Sequence, residues 1–304
     1  MTTAFVLSGG GSLGAVQAGM MLALAERGVV PDLLVGTSVG ALNAAYLASG
    51  PSYEGARALA QVWSGLRRRD VFPLPRPGAV RALAGRGDHL IDPSPLRRLL
   101  TKQLPYKRLE DAPWPVVVVS TEVTTGQEVV LAEGDAVDAV LASASLPGVF
   151  PPVAFEGHTL IDGGVVNHTP ISVAVDLGAD RVVVLPTGYA CALAAPPRSA
   201  LAMVVHAFTL ATQRRLIDDV RRLQNEIDLR VAPPLCPVSV SPVDFSRSAE
   251  LVDRARRATR KWLDADRATD QSRDLLPHRH AGQLDVRAAT PSQIRMKEPS
   301  CAHQ

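Results

Sequence analysis

The chain has 304 residues, of which 46% are apolar, enough for one large α/β domain or two small ones with a sizeable core. Its formal charge of +2 is too close to neutral to argue for a nucleic-acid partner. Its three cysteines, Cys191, Cys236 and Cys301, lie too far apart for a disulfide framework or a thiolate metal site, which fits a reducing cytoplasm. The start, Met1 to Val6, has no basic stretch leading into a long apolar run, so no signal peptide is expected. No uninterrupted apolar run of about 18 residues occurs, so any contact with a membrane is expected to be peripheral.

In chain order, residues 3–8 read as a short buried strand and 12–27 as a helix, with Leu13, Val16, Met20 and Leu24 at helical spacing and Gly28 as its stop. A second strand is expected at 32–35, an alanine-rich helix at 39–48 and a third helix at 52–66. From Arg67 to Pro95, prolines and glycines interleave with Val71, Phe72, Leu74, Val80 and Leu83, and regular structure is not expected; a loop of this length reads as a lid or a mobile binding loop. Val116 to Val119 is the strongest strand, apolar on both faces as in the middle of a parallel sheet, and Thr124 to Gln127 turns it into a hairpin with 128–131. Helices at 135–144 and 170–178, a strand at 181–185, a helix at 199–225, a strand near 226–231 and a helix at 246–264 follow. Beyond Thr269 the pattern fails, so the acyl-transfer domain proposed below is drawn as 1–268, with 269–304 as a disordered tail. Strands alternating with helices predict an α/β fold with helices on both faces of the sheet.

Two glycine-rich turns carry the chemistry. Gly9-Gly10-Gly11-Ser12-Leu13-Gly14 follows the first strand, and Gly36-Thr37-Ser38-Val39-Gly40 follows the second. Each is a strand, a tight turn and a helix, and both lie at strand carboxyl ends, where sites of α/β sheets are found. The second has the form of a nucleophile elbow, which holds a serine hydroxyl clear of the backbone. The first would aim backbone N–H groups at an oxyanion. A serine hydroxyl needs a base. Of seven histidines, His278, His280 and His303 fall in the tail, His89 in the Pro/Gly-rich segment, and His158, His168 and His206 sit in contexts that mark none of them. Asp162, at the end of an apolar run and followed by Gly163 and Gly164, offers a carboxylate instead, which makes a Ser38–Asp162 dyad.

These segments, in this order, resemble those of the patatin-like phospholipases. Two supporting segments add to the resemblance: Ala142 to Pro152, with its serines and prolines, and Val165 to Ile171 after the aspartate. The resemblance implies a three-layer α/β/α fold on a mainly parallel sheet. It implies a serine lipid acyl hydrolase with Ser38 as nucleophile, Asp162 as base, and Gly9, Gly10, Gly11 and Gly14 as the oxyanion loop. Gly36, Gly40, Gly163 and Gly164 support the motifs, and no metal or cofactor is implied. Leu13 departs from the resemblance, because the family often carries Arg or Lys there. The implied substrate is a lipid or another acyl ester, met by a cytoplasmic enzyme in peripheral contact with a membrane. Two alternatives stay open: an α/β-hydrolase with a Ser-His-Asp triad, and a non-catalytic binding protein on the same scaffold.

Overall fold

The computed structural model describes residues 1–74, 87–188, 196, 200–236, 238, 240–265 and 275–276. Among the described residues the eight strands are β1 (Thr3–Leu7), β2 (Leu33–Thr37), β3 (Val116–Glu122), β4 (Glu128–Leu131), β5 (Val153–Phe155), β6 (His158–Asp162), β7 (Arg181–Leu185) and β8 (Asp228–Val231). Among the described residues the helices are α1 (Gly14–Glu26), α2 (Val39–Leu47), α3 (Tyr53–Gly65), α4 (Arg68–Val71), α5 (Ser94–Gln103), α6 (Ala136–Ser143), α7 (Gly164–Asn167), α8 (Ile171–Asp176), α9 (Ala200–Leu223) and α10 (Ser248–Asp264).

The strands form one mixed sheet in the order β5-β6-β3-β2-β1-β7-β8, with β4 also paired to β3. The run β3-β2-β1-β7-β8 is parallel, whereas β4, β5 and β6 pair antiparallel. Alternate residues of the central strands feed two cores, one on each face. Phe5, Leu7, Leu34, Val118 and Leu185 pack toward α1, α2, α3 and α10. Ala4, Val6, Val35, Val119 and Val184 pack toward α8 and the second half of α9. The result is the three-layer α/β/α arrangement that the alternation of elements implied.

One feature of the sheet builds the site. Val118 and Val119 pair with β2 and β4 at once, and Ser120 and Thr121 pair with β4 and β6 at once. Strands β2 and β6 therefore share one edge of β3 and meet end to end. Thr37 pairs with Val119, and Asp162 with the next residue, Ser120. Two residues 124 apart in sequence, Ser38 and Asp162, are thus delivered to one point by backbone pairing.

The structure differs from the sequence reading in places. Strand β3 is parallel only to β2, because the hairpin to β4 and the arrival of β6 supply antiparallel partners. Among the described residues the 67–95 segment holds one helix, α4, which buries Val71, and at its end the first turn of α5, which has Pro95 in that turn and runs on to Gln103, burying Leu96 and Leu100. Residues 75–86, including Val80 and Leu83, lie outside the described residues, so the lid reading is untouched there. Nearly all of the tail from 269 onward also lies outside them.

Candidate active site

Ser38 stands between β2 and α2 with φ 56° and ψ −124°, one of two described non-glycine residues with positive φ. Such a conformation costs on the order of 1–3 kcal/mol and persists only where the surroundings enforce it. Here they do. A Cβ on Gly36 would lie 2.4 Å from the Gly40 carbonyl oxygen, and one on Gly40 would lie 2.1 Å from that of Leu7. The elbow is packed too closely for side chains at either position, so the serine takes the strained conformation between two glycines.

The Ser38 hydroxyl donates to Asp162 Oδ2 at 2.6 Å, and the Gly164 N–H donates to Asp162 Oδ1 at 2.7 Å. Both carboxylate oxygens are fixed. The main chain is fixed too: the Asp162 N–H donates to the Ser145 carbonyl at 2.9 Å, and its own carbonyl accepts the Thr121 hydroxyl at 3.0 Å. A Cβ on Gly163 would lie 2.1 Å from the Val119 carbonyl oxygen, so this turn also passes too close for a side chain. Asp162 is buried, and burial pushes its carboxyl up from 3.8 to about 6, against the hydrogen bonds from Ser38 and Gly164 that favour the ionised form. A base in this range is mostly ionised at neutral pH and still holds a proton well.

The first glycine turn lies over the nucleophile, since a Cβ on Gly9 would come within 3.3 Å of Ser38 Cβ. Its N–H groups are not equivalent. The Gly9 N–H donates to the His168 carbonyl at 3.0 Å, and the Gly14 N–H is taken by the carbonyls of Gly11 and Ser12. Ser12 donates its N–H to the Pro242 carbonyl at 2.7 Å and its hydroxyl to the Ser241 carbonyl at 2.9 Å. Among the described residues, the N–H groups of Gly10 and Gly11 have no acceptor, and both glycines have positive φ, at 148° and 59°. The expectation that all four glycines serve an oxyanion is corrected at Gly9 and Gly14, whose N–H groups already have partners.

A model of the patatin-like phospholipase family matches residues 5–175. The chain belongs to this family. Among curated relatives, mouse patatin-like phospholipase domain-containing protein 7 is 33% identical over 190 residues, which is 61% of this chain and 13% of that protein. An uncharacterized NTE family protein of Mycobacterium tuberculosis is 33% identical over 169 residues, 55% of this chain and 27% of that protein. The chain thus spans a small part of the length of these relatives. Among solved structures, VipD from Legionella pneumophila matches with TM-score 0.47 and 16% identity, over 86% of this chain and 67% of that one.

Several residues of this patatin-like site escaped the sequence reading. Ser143 accepts the Ser38 N–H at 2.8 Å and donates its hydroxyl to the Val119 carbonyl at 2.6 Å, bracing the elbow from behind. Behind the glycine loop runs a buried polar chain. The Trp63 indole N–H donates to Asn43 Oδ1 at 2.7 Å, and Asn43 donates to the Gly14 carbonyl at 3.1 Å and to Gln17 Oε1 at 2.8 Å. Gln17 in turn donates to the carbonyls of Ser8 and Leu185, each at 2.9 Å. The chain ties α2, which follows the nucleophile, to both ends of the glycine loop. Its sequence signal is a polar residue set inside an apolar run of each helix, Gln17 in α1 and Asn43 in α2, since buried polar groups are kept where they are bonded.

His168 is beside the site. Its ring packs within 3.0 Å of the point where a Cβ on Gly9 would stand, and its edge meets Phe208, with ring centroids 6.4 Å apart. Burial lowers its pKa to about 4, so the ring is neutral. Among the described residues no histidine bonds Ser38 or Asp162. His158 pairs instead with Glu122 at 3.1 Å, outside the dyad. Leu13 packs against the apolar core rather than presenting a charge to the loop. No group of His, Cys, Asp or Glu suited to a metal occurs among the described residues.

Proposed function

We propose that the protein is a serine lipid acyl hydrolase that works through an acyl-enzyme on Ser38. The observation that carries this reading is the 2.6 Å hydrogen bond from Ser38 to the buried Asp162, beside a glycine loop whose Gly10 and Gly11 N–H groups have no acceptor among the described residues. In the first step Ser38 Oγ attacks the ester carbonyl carbon while its proton passes to Asp162 Oδ2. The carbonyl oxygen becomes an oxyanion and accepts from Gly10 and Gly11; one such donor is typically worth about 10²–10³ in rate. The C–O bond of the ester then breaks, and the leaving alkoxide takes the proton from Asp162. In the second step Asp162 accepts a proton from water, whose oxygen attacks the acyl carbon. The acid is released, and the proton returns to Ser38.

The family supports a lipid ester as the substrate class. The relative from Mycosarcoma maydis bears the name lysophospholipase NTE1, is 28% identical over 202 residues and is covered over only 10% of its length. We place the substrate among phospholipids, lysophospholipids and neutral glycerides, handled by a cytoplasmic enzyme at a membrane surface. A panel of these three, with release of free fatty acid as the readout, fixes the class. The dyad reading requires that Asp162→Asn abolish hydrolysis of a short p-nitrophenyl ester and that His168→Ala retain part of it. The opposite pattern would establish the triad alternative. Hydrolysis by Ser38→Ala at the wild-type rate would remove the mechanism altogether.

A further inference from the structure

The outward face of α9 changes character half-way along the helix. Between Ala200 and Gln213 no charged residue occurs. Met203, Val204, Ala207, Phe208, Leu210 and Ala211 are all exposed, with Val204 66% accessible. At helical spacing these six form one face, about 160° wide. One to three turns on, the same face carries Arg214, Arg215, Asp218, Arg221 and Arg222, while Leu216, Ile217, Val220 and Leu223 on the opposite face are buried in the core. The charged half is an ordinary solvated surface with ion pairs such as Arg214–Asp218 at 3.1 Å. The apolar half has no such explanation.

That apolar half adjoins the dyad. Phe208 packs on the His168 ring, and the His168 carbonyl holds the Gly9 N–H of the oxyanion loop. Three other exposed apolar side chains sit next to residues that build the site. Val165 follows Gly164, which bonds Asp162; Leu146 follows Ser145, whose carbonyl takes the Asp162 N–H; and Val243 follows Pro242, whose carbonyl takes the Ser12 N–H. Exposed apolar side chains from four separate segments thus touch or directly follow residues that build the site. Large exposed apolar surface marks an interaction site.

We infer that the uncharged half of α9, together with Val165, Leu146 and Val243, is the face by which the protein docks on a lipid surface. The choice of occupant rests on the acyl-hydrolase reading above, and three observations favour it. Residues of this face touch, or follow directly in the chain, the residues that build the site to which a lipid ester must come. It carries no charge to pair with a folded partner. The change from apolar residues to ion-paired arginines along one face of one helix matches a segment whose uncharged half dips into acyl chains while its charged half stays in water. No described helix is long and apolar enough to cross a membrane, so the contact is a docking rather than a span.

The test uses Ser38→Ala protein, so that vesicles are not consumed and binding is read without turnover. It is expected to float with pure phosphatidylcholine vesicles, and the added pair Met203→Asp and Val204→Asp to reduce that partition by about tenfold or more. Val204→Trp reports the contact directly: its emission is expected to shift to the blue on addition of vesicles, while that of Arg222→Trp stays unmoved. Protein that stays off vesicles, a charged pair that binds undiminished, or an unmoved Val204→Trp signal would each overturn the inference. So would light scattering that shows a dimer dissolved by the charged pair, which would assign the face to a second copy of this chain. Vesicle binding by an enzyme without esterase activity would sink the hydrolase reading alone, and esterase activity without vesicle binding would sink the docking alone.

Discussion

Asp162→Asn is expected to abolish catalysis and at the same time to stabilise the protein at neutral and alkaline pH. The native carboxyl binds its proton more tightly than an exposed one, holding it up to about pH 6 rather than 3.8. Well below pH 3.8 the group is protonated in both states and costs nothing. As pH rises from there through about 6, the unfolded chain ionises first, and the native state loses stability relative to it. Above that window the loss is complete, on the order of 3 kcal/mol for a displacement of this size. Asparagine has the same shape and no charge. Its oxygen can accept the Gly164 N–H and its amide can donate to Ser38 Oγ, so both contacts of Asp162 have a replacement. The variant is therefore expected to exceed the wild type by about 1–3 kcal/mol at pH 8, roughly a few degrees in Tm for a chain of this size. Near pH 3 the difference is expected to vanish. Thermal unfolding of both proteins at the two pH values reads this directly. A variant less stable than the wild type at pH 8, or a difference that does not depend on pH, would refute the account of a carboxylate ionised against its surroundings.

The same carboxyl sets the activity profile: kcat/KM for a short ester is expected to fall on the acid side with a midpoint near pH 6, as Asp162 takes up the proton it must leave free to accept. Ser143→Ala leaves the Ser38 N–H without its acceptor, and kcat is expected to drop about tenfold or more while KM changes little, as steady-state kinetics would show. Asn43→Leu strands the Trp63 N–H, Gln17 Oε1 and the Gly14 carbonyl together, and urea titration is expected to show a loss of about 2–4 kcal/mol. Trp63→Phe removes one partner of that chain and is expected to cost less than Asn43→Leu in the same titration.

The sequence was most legible where local pattern and chemistry coincide. Short apolar strands ending in glycine turns mark both the Ser38 elbow and the glycine loop over it, because a strained elbow and a loop with open N–H groups each need glycine at fixed places. Helix α5 was hidden by its setting: Pro93 and Pro95 read as the end of a Pro/Gly-rich segment, although proline in a first turn can equally start a helix. The number of N–H groups left open in that loop was not legible. The Gly9 N–H is consumed by a carbonyl 159 positions away, and the adjoining Ser12 N–H is held by one still further along the chain. The role of Ser143 depends on β2 and β6 meeting end to end on β3, and no local pattern in residues 142–152 announces that register. Gln17 and Asn43 were legible in principle, each as a polar residue where an apolar one would pack.

The central claim is that Ser38 is a nucleophile activated by Asp162 alone. Incubation with an alkyl fluorophosphonate, followed by mass spectrometry of the digested protein, tests it most directly. The account predicts one adduct on Ser38, greatly slowed in Asp162→Asn and still formed in His168→Ala. An adduct elsewhere, or one on Ser38 that forms at full rate without Asp162, would contradict it.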